Sequence, residues 1–238
     1  MTVIWHDIEC GAYAEDLALW RGLAAAYGDP VLDVGAGTGR VSLDLARHGH
    51  AVVALDRDAE LLAALRERAG DLPVETVAAD ARDLDLGERR FPLAIVPMQT
   101  LQLLGGEAGR AAFLRAVHRH LSPGGVVAAA IADPLDGFDD DHTMPPLPDM
   151  REIDGTVYHS QVVAVRAWPE ATRIERIRQT VDVAGHRTSE DDVVTLDRVD
   201  AATVAEEAAA LGYEALPSRR IPDTDEYVGS EVVVLCRR

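Results

Sequence analysis

Basic side chains are scarce in this sequence: 23 Lys and Arg stand against 41 Asp and Glu, for a formal net charge of −18. A surface with that balance repels a phosphate backbone, and no basic cluster with interleaved aromatics offsets it, so nucleic acid is not expected as a partner. The charge alone leaves two readings open, simple solubility or a preference for a cationic amine. Cysteine is nearly missing too. Cys10 and Cys236 lie near opposite ends and form no CxxC pair, which reads as free thiols in a cytoplasmic protein rather than a disulfide or a metal site. No apolar run is long enough to cross a bilayer, and the opening residues have neither the basic start nor the apolar stretch of a secretory signal, so no membrane is expected. The 238 residues suffice for one substantial core with a smaller inserted lobe.

Short β-branched runs alternate with helical patterns from residue 31 onward. Strands are predicted at residues 31–34, 51–56, 74–80, 92–97 and 126–132, with helices at 40–48, 59–69 and 107–121 between them. In the last helix Ala111, Leu114, Val117 and Leu121 fall three or four apart, on one face. Such alternation predicts a parallel sheet covered by helices on both sides. Two regions break the rhythm. Residues 1–30 are expected to form an N-terminal helical cap, with a helix around 13–26, ahead of a core at 31–132. Residues 133–199 read as a loop, rich in Pro, Gly and acids over 133–149, followed by a lobe of three antiparallel strands at 156–168, 172–183 and 186–196. A helix at 201–211 and strands at 213–221 and 231–237 then complete the core over 200–238.

The strongest local signal is VLDVGAGTGRVSLDLA, where a hydrophobic strand runs into Gly35, Ala36, Gly37 and Gly39 and then into an apolar-periodic helix. Glycines let a ligand approach the backbone without meeting Cβ atoms, and a helix start offers unpaired N–H groups. A dinucleotide turn needs GxGxxG, and Arg40 occupies its third glycine position, so the spacing here is GxGxG. Asp33, just ahead of the turn, suits a cationic ligand end better than a pyrophosphate. Asp56 ends the second strand, where its two oxygens could accept from two ribose hydroxyls; the alternative is a helix cap, for which Asp58 competes. Asp80 repeats the arrangement after the third strand. There it could accept from the exocyclic amine of adenine while the Ala81 backbone addresses the ring edge, or it could be an ordinary loop acid.

These residues resemble the class I S-adenosylmethionine-dependent methyltransferases. Asp33, Gly35, Gly37 and Gly39 match the family's first motif, and Asp56 and Asp80 match its acids after the second and third strands. The resemblance implies a Rossmann-like α/β fold, a seven-stranded sheet whose final strand is antiparallel, with helices on both faces and an inserted antiparallel β lobe. It implies S-adenosyl-L-methionine as cofactor, S-adenosyl-L-homocysteine as product, and Arg57 packed against adenine or else solvated. It also places Pro97 and Met98, followed by Gln99, Thr100 and Gln102, along the methionine moiety and toward the acceptor. The aromatic-flanked (Asp/Asn)-Pro-Pro-(Tyr/Phe) sequence of many nucleic-acid and protein amide methyltransferases is missing. The inserted lobe is similar to that of small-molecule methyltransferases.

The expected chemistry is methyl transfer to a small-molecule acceptor, an amine or a hydroxyl, by a monomer or homodimer. The main task of such a protein is to align donor and acceptor and to exclude water. The loop at 133–149 and the N-terminal helix are candidates for closure. No catalytic group stands out: His142 is a candidate base or a solvated loop residue, and its neighbours Asp139, Asp140 and Asp141 read as solvated acids, not as a metal site. Tyr158 and His159 point to opposite faces of a regular strand. Tyr13 and Trp20 are seven apart, either a cleft-facing stripe that meets the acceptor or ordinary core. Peptide or protein methylation, and a non-catalytic donor-binding role, are the other readings.

Overall fold

The structure, a computed structural model, describes residues 2–135, 137 and 146–238. It divides into two units, one of Met1–Ala12 with Pro134–Arg198, the other of Tyr13–Asp133 with Val199–Arg238.

The larger unit is a seven-stranded sheet in the order β10-β11-β5-β4-β1-β2-β3. Its strands are β1 (Val31–Val34), β2 (Val52–Asp56), β3 (Val74–Ala78), β4 (Phe91–Val96), β5 (Leu121–Ala132), β10 (Tyr213–Ile221) and β11 (Ser230–Arg237). The first five run parallel, and β11 is antiparallel to both β5 and β10. Successive side chains of a strand point to opposite faces, and here both faces are apolar because helices cover both. Val31 belongs to the buried cluster on the side of α2 (Leu17–Tyr27) and α3 (Arg40–Arg47), whereas its neighbour Leu32 belongs to the one on the side of α5 (Gly106–His120) and α6 (Ala201–Ala209). Beside α3, α4 (Ala59–Ala69) buries Leu62 and Leu65. Strand and helix positions follow the sequence reading within a few residues, except that β5 starts five residues early and the helix expected around 13–26 begins only at Leu17. Tyr13 therefore precedes that helix and shares no stripe with Trp20.

The smaller unit is a four-stranded antiparallel sheet in the order β6-β7-β8-β9, inserted in sequence between β5 and α6. β7 (Thr156–Ala167), β8 (Ala171–Val181) and β9 (Arg187–Asp197) answer to the three expected strands. The fourth, β6 (Asp149–Ile153), begins at the end of the stretch read as loop. Its sequence DMREI is mostly exposed and lacks strand character, and it is held by its register with β7 through the turn at Asp154 (φ 50°) and Gly155 (φ 76°). That Asp-Gly pair is a strong hairpin signal. The unit also holds α1 (Thr2–Cys10), a helix within the expected N-terminal helical cap but separate from the one read around 13–26. Glu9 of this helix takes two hydrogen bonds of 2.7 Å from the Arg178 guanidinium and one of 2.8 Å from the Ser160 hydroxyl.

In the larger unit, Tyr213 at the head of β10 is fully buried and donates its hydroxyl to the Leu114 carbonyl of α5 at 2.8 Å. Replacing it with Phe removes one neutral buried hydrogen bond without opening a cavity. Tyr213→Phe should therefore cost about 1 kcal/mol in urea unfolding, with the m-value unchanged.

Candidate cofactor site

The glycine turn leaves β1 at the carboxyl edge of the sheet and is pinned at once to β2: the amides of Gly35 and Ala36 both donate to the Leu55 carbonyl, at 2.8 and 3.0 Å. Its geometry depends on glycine at two places. Gly35 has φ 76°, and a Cβ there would lie 2.5 Å from Thr100 Cγ2. Gly39 has φ 95°, and its Cβ would lie 2.1 Å from Leu65 Cδ1 in the core of α4. Side chains are thus excluded both by backbone angle and by space.

Asp56 closes the turn from the other side. One carboxylate oxygen accepts from the Gly37 amide at 2.8 Å and the other from the Asp58 amide at 2.9 Å. The cap of α4 is Asp58, whose side chain accepts from the Glu60 and Leu61 amides. The two acids have therefore separate tasks, and Asp56 faces the glycine turn.

Register places the three acids as a staircase. Asp33 pairs with Ala54, two residues before Asp56, and Asp56 pairs with Ala78, two residues before Asp80. Each acid lies one step further along the carboxyl edge than the last. Asp80 accepts from the Arg82 amide at 2.9 Å and from its guanidinium at 2.6–3.2 Å, which holds its carboxyl down at about 2. Ala81 beside it is buried and Arg57 is exposed.

Asp33 differs from the other two. Its carboxylate is 1% exposed and takes one hydrogen bond, 2.6 Å from the Ser42 hydroxyl. The other oxygen, Oδ1, is buried with no partner among the described residues. Burial pushes this carboxyl up to about 6, against the pull of Ser42 and Arg40 and with the help of the Asp56 and Asp16 charges. A buried acceptor with an unfilled place suits a ligand that brings its own positive donor. That is the chemistry of an ammonium group, so the residues fit an amino-acid-bearing sulfonium compound.

Several expected contacts lie elsewhere. Trp20 is fully enclosed in the core between α2 and the sheet, with its indole N–H given to Asp16 at 2.7 Å, so it is corrected from acceptor contact to core residue. Gln102 is also buried, and its carbonyl oxygen accepts from the Ala132 amide at 2.9 Å, tying the 3-10 turn Thr100–Leu103 to the end of β5; that oxygen is committed to the backbone and not offered to a ligand. Thr100 lines the seam against Gly35, while Gln99 is partly exposed beside it. Pro97 is buried, and Met98 has a left-handed backbone (φ 54°), unusual for a residue with a Cβ. Tyr158 and His159 belong to the smaller unit. There Tyr158 meets Trp5 edge-on at 5.6 Å, and the buried His159 Nδ1 lacks a partner among the described residues. His142 and the acids at 139–141 lie outside the described residues.

Sequence reading missed Asp16 and Arg40. The Arg40 guanidinium, at the head of α3, meets the buried Asp16 carboxylate in two hydrogen bonds of 2.5 and 2.7 Å and donates to the Tyr13 carbonyl at 2.9 Å. Asp16 thereby serves Arg40 and Trp20 together. Only an Arg directly after the last turn glycine, with an acid at the start of the preceding helix, signalled the pair.

Comparison with known proteins agrees with this geometry. A family model described as a methyltransferase domain matches residues 31–125. The chain is 37% identical over 109 residues to a cypemycin N-terminal methyltransferase from a Streptomyces species, an alignment that covers 46% of this chain but only 44% of that protein. It is 31% identical over 164 residues to a demethylmenaquinone methyltransferase of Corynebacterium urealyticum, covering 66% of this chain and 68% of the relative. Two solved structures share the fold: an amino pentose methyltransferase from Micromonospora echinaspora (TM-score 0.72, 23% identity, 100% of this chain and 98% of that one) and a sugar N-methyltransferase from a Streptoalloteichus species (TM-score 0.75, 22% identity, 99% and 91%). With its glycine turn, its strand-end acids and these relatives, the chain belongs to the class I S-adenosylmethionine-dependent methyltransferases.

Proposed function

We propose that this protein transfers a methyl group from S-adenosylmethionine to the nitrogen or oxygen of a small molecule, by in-line displacement. The observation that carries the reading is the Asp56 carboxylate, bonded to the Gly37 amide within the staircase of strand-end acids. In this reading Asp33 and the turn from Gly35 to Gly39 hold the amino-acid end of the donor. The Asp56 carboxylate keeps lone pairs for the ribose hydroxyls, and Asp80 with Ala81 meets the base, with Arg57 at its rim. Pro97, Met98, Gln99 and Thr100 border the reacting end. The donor brings a methyl group already activated by its sulfonium, so the residues of this chain have to bind, orient and exclude water.

The names of the relatives support a small acceptor: demethylmenaquinone, an amino pentose and a sugar are named in three of them. A peptide acceptor is the second reading, favoured by the N-terminal methyltransferase that matches at 37% identity. Product formation from labelled donor, with a panel of small amines and quinols run against short peptides, separates the two. Methylation of peptides alone would overturn the first reading.

Asp56→Ala removes the carboxylate that orders the turn and meets the ribose. It should weaken S-adenosylhomocysteine at least about tenfold in calorimetry, in line with the loss of charge-assisted hydrogen bonds, while the protein still unfolds cooperatively. Unchanged affinity would remove Asp56 from the site.

Asp33 gives a pH dependence of definite sign. Its carboxyl lies near 6 in the folded protein against the ordinary 3.8, so the folded state holds this proton more tightly than the unfolded chain does. The stability it contributes is complete below 3.8 and is lost as pH rises through about 6. Asp33→Asn should therefore raise the Tm of the ligand-free protein at neutral pH, with the gain shrinking as the solution is acidified from about pH 6 and gone below about pH 4. The same variant should bind S-adenosylhomocysteine more weakly. In the wild type, that affinity should fall as pH drops below about 6, because a cationic ligand group prefers the ionised carboxylate. Thermal scans and titrations across this range check both signs.

A further inference from the structure

Tyr227 lies between β10 and β11, far in sequence from the glycine turn, yet it meets Tyr13, which in turn meets Arg40 beside that turn. Because β11 runs antiparallel to β5 and β10, the segment joining β10 to β11 opens at the carboxyl edge of the sheet, the same edge as the turn. The segment is internally ordered. The Thr224 hydroxyl accepts from the amides of Glu226 and Tyr227, at 3.3 and 2.9 Å, and the Thr224 amide donates to the Tyr227 carbonyl at 2.9 Å.

From this segment the Tyr227 ring meets Tyr13 edge-on, with centroids 5.0 Å apart and planes at 63°. The Arg40 guanidinium carbon lies 5.0 Å from the centroid of the same Tyr13 ring. Arg40 in turn follows Gly39 directly and is fixed by Asp16. Tyr227, Tyr13 and Arg40 thus form a continuous set of ring contacts from the β10–β11 segment to the head of α3. The Tyr13 hydroxyl is open at its oxygen although the ring is packed. The residue is 8% exposed, yet its hydroxyl has no hydrogen-bond partner among the described residues, whereas the buried Tyr213 donates to a carbonyl. Burial, with the Asp16 charge next, pushes the Tyr13 phenol up to about 12, so it stays protonated and able to donate.

We propose that Tyr227 is a positioning residue of the donor site: it clamps Tyr13 against Arg40, which keeps the glycine turn in shape and the Tyr13 hydroxyl available to the donor. This rests on the donor reading given above. No residue of the β10–β11 segment was singled out from sequence, and Tyr227 acts through Tyr13 and Arg40 rather than by touching the reacting atoms.

The test uses the full chain and S-adenosylhomocysteine as probe, with affinity by calorimetry and Tm measured in parallel. Tyr227→Ala should weaken the probe about three- to tenfold, the range of an edge-to-face aromatic contact, and Tyr227→Phe should restore affinity to within about twofold of wild type. Tyr13→Phe keeps the ring contacts but removes the hydroxyl, and should weaken the probe while Tm is held. If Tyr227→Ala does not fold, Tyr227→Leu, which keeps bulk without an aromatic edge, takes its place and must also weaken binding. Probe affinity equal to wild type in the folded Ala or Leu variant, whether or not Tm falls, overturns the clamp. Wild-type protein that takes up no probe overturns the donor reading beneath it, a result distinct from the first.

Discussion

One carboxylate holds the turn at the centre of this protein. Asp56 draws in the Gly37 amide from β1's turn and the Asp58 amide from its own strand end, so two chain segments share a single anchor. Without it the turn would lose its tie at Gly37, between the Leu55 carbonyl that holds Gly35 and Ala36 and the Ala36 carbonyl that holds Gly39, and left-handed glycines have little preference of their own. The contact with Thr100 then closes the turn from above β4, at a distance that no side chain on residue 35 tolerates. Rigidity here comes from neighbours, and glycine is what lets them approach so near.

Against this ordered frame stands a charge that the fold does not satisfy. Asp33 feels the charges of Asp56 and Asp16 against that of Arg40, which is itself paired with Asp16, and it keeps an oxygen with no partner among the described residues. Such an arrangement costs the empty protein stability and favours a ligand that supplies positive charge. The same residues that make the family motif therefore act against the stability of the ligand-free fold.

Most of the larger unit was legible because its signals are local. Strands buried on both faces read as short β-branched runs, helices as spacings of three and four, and GxGxG as a turn that excludes a dinucleotide. What escaped was set by partners far away in sequence. Asp16 and Arg40 meet across 24 residues, and neither looks unusual alone. The seven-residue spacing of Tyr13 and Trp20 suggested a shared face, but the helix starts four residues after Tyr13, and Trp20 turned to Asp16 and the core. The family resemblance pointed Gln102 toward the acceptor; in the structure its carbonyl oxygen serves the Ala132 amide at the end of β5. Strand β6 has a polar composition that hides its role, although the Asp154-Gly155 turn after it was there to be read.

The ion pair of Glu9 with Arg178 joins residues 169 positions apart, within the unit that also buries Trp5 and Ile8. During synthesis the first helix leaves the ribosome well before β8 exists, and at about 5–20 residues per second it waits on the order of ten seconds or more for its partner strand. Over that interval its indole and isoleucine remain in water, with nothing from the later strands to cover them. Helix α1 thus waits on β7 and β8, and a nascent protein stalled before Tyr158 would expose the Trp5 and Ile8 side chains that the finished one conceals.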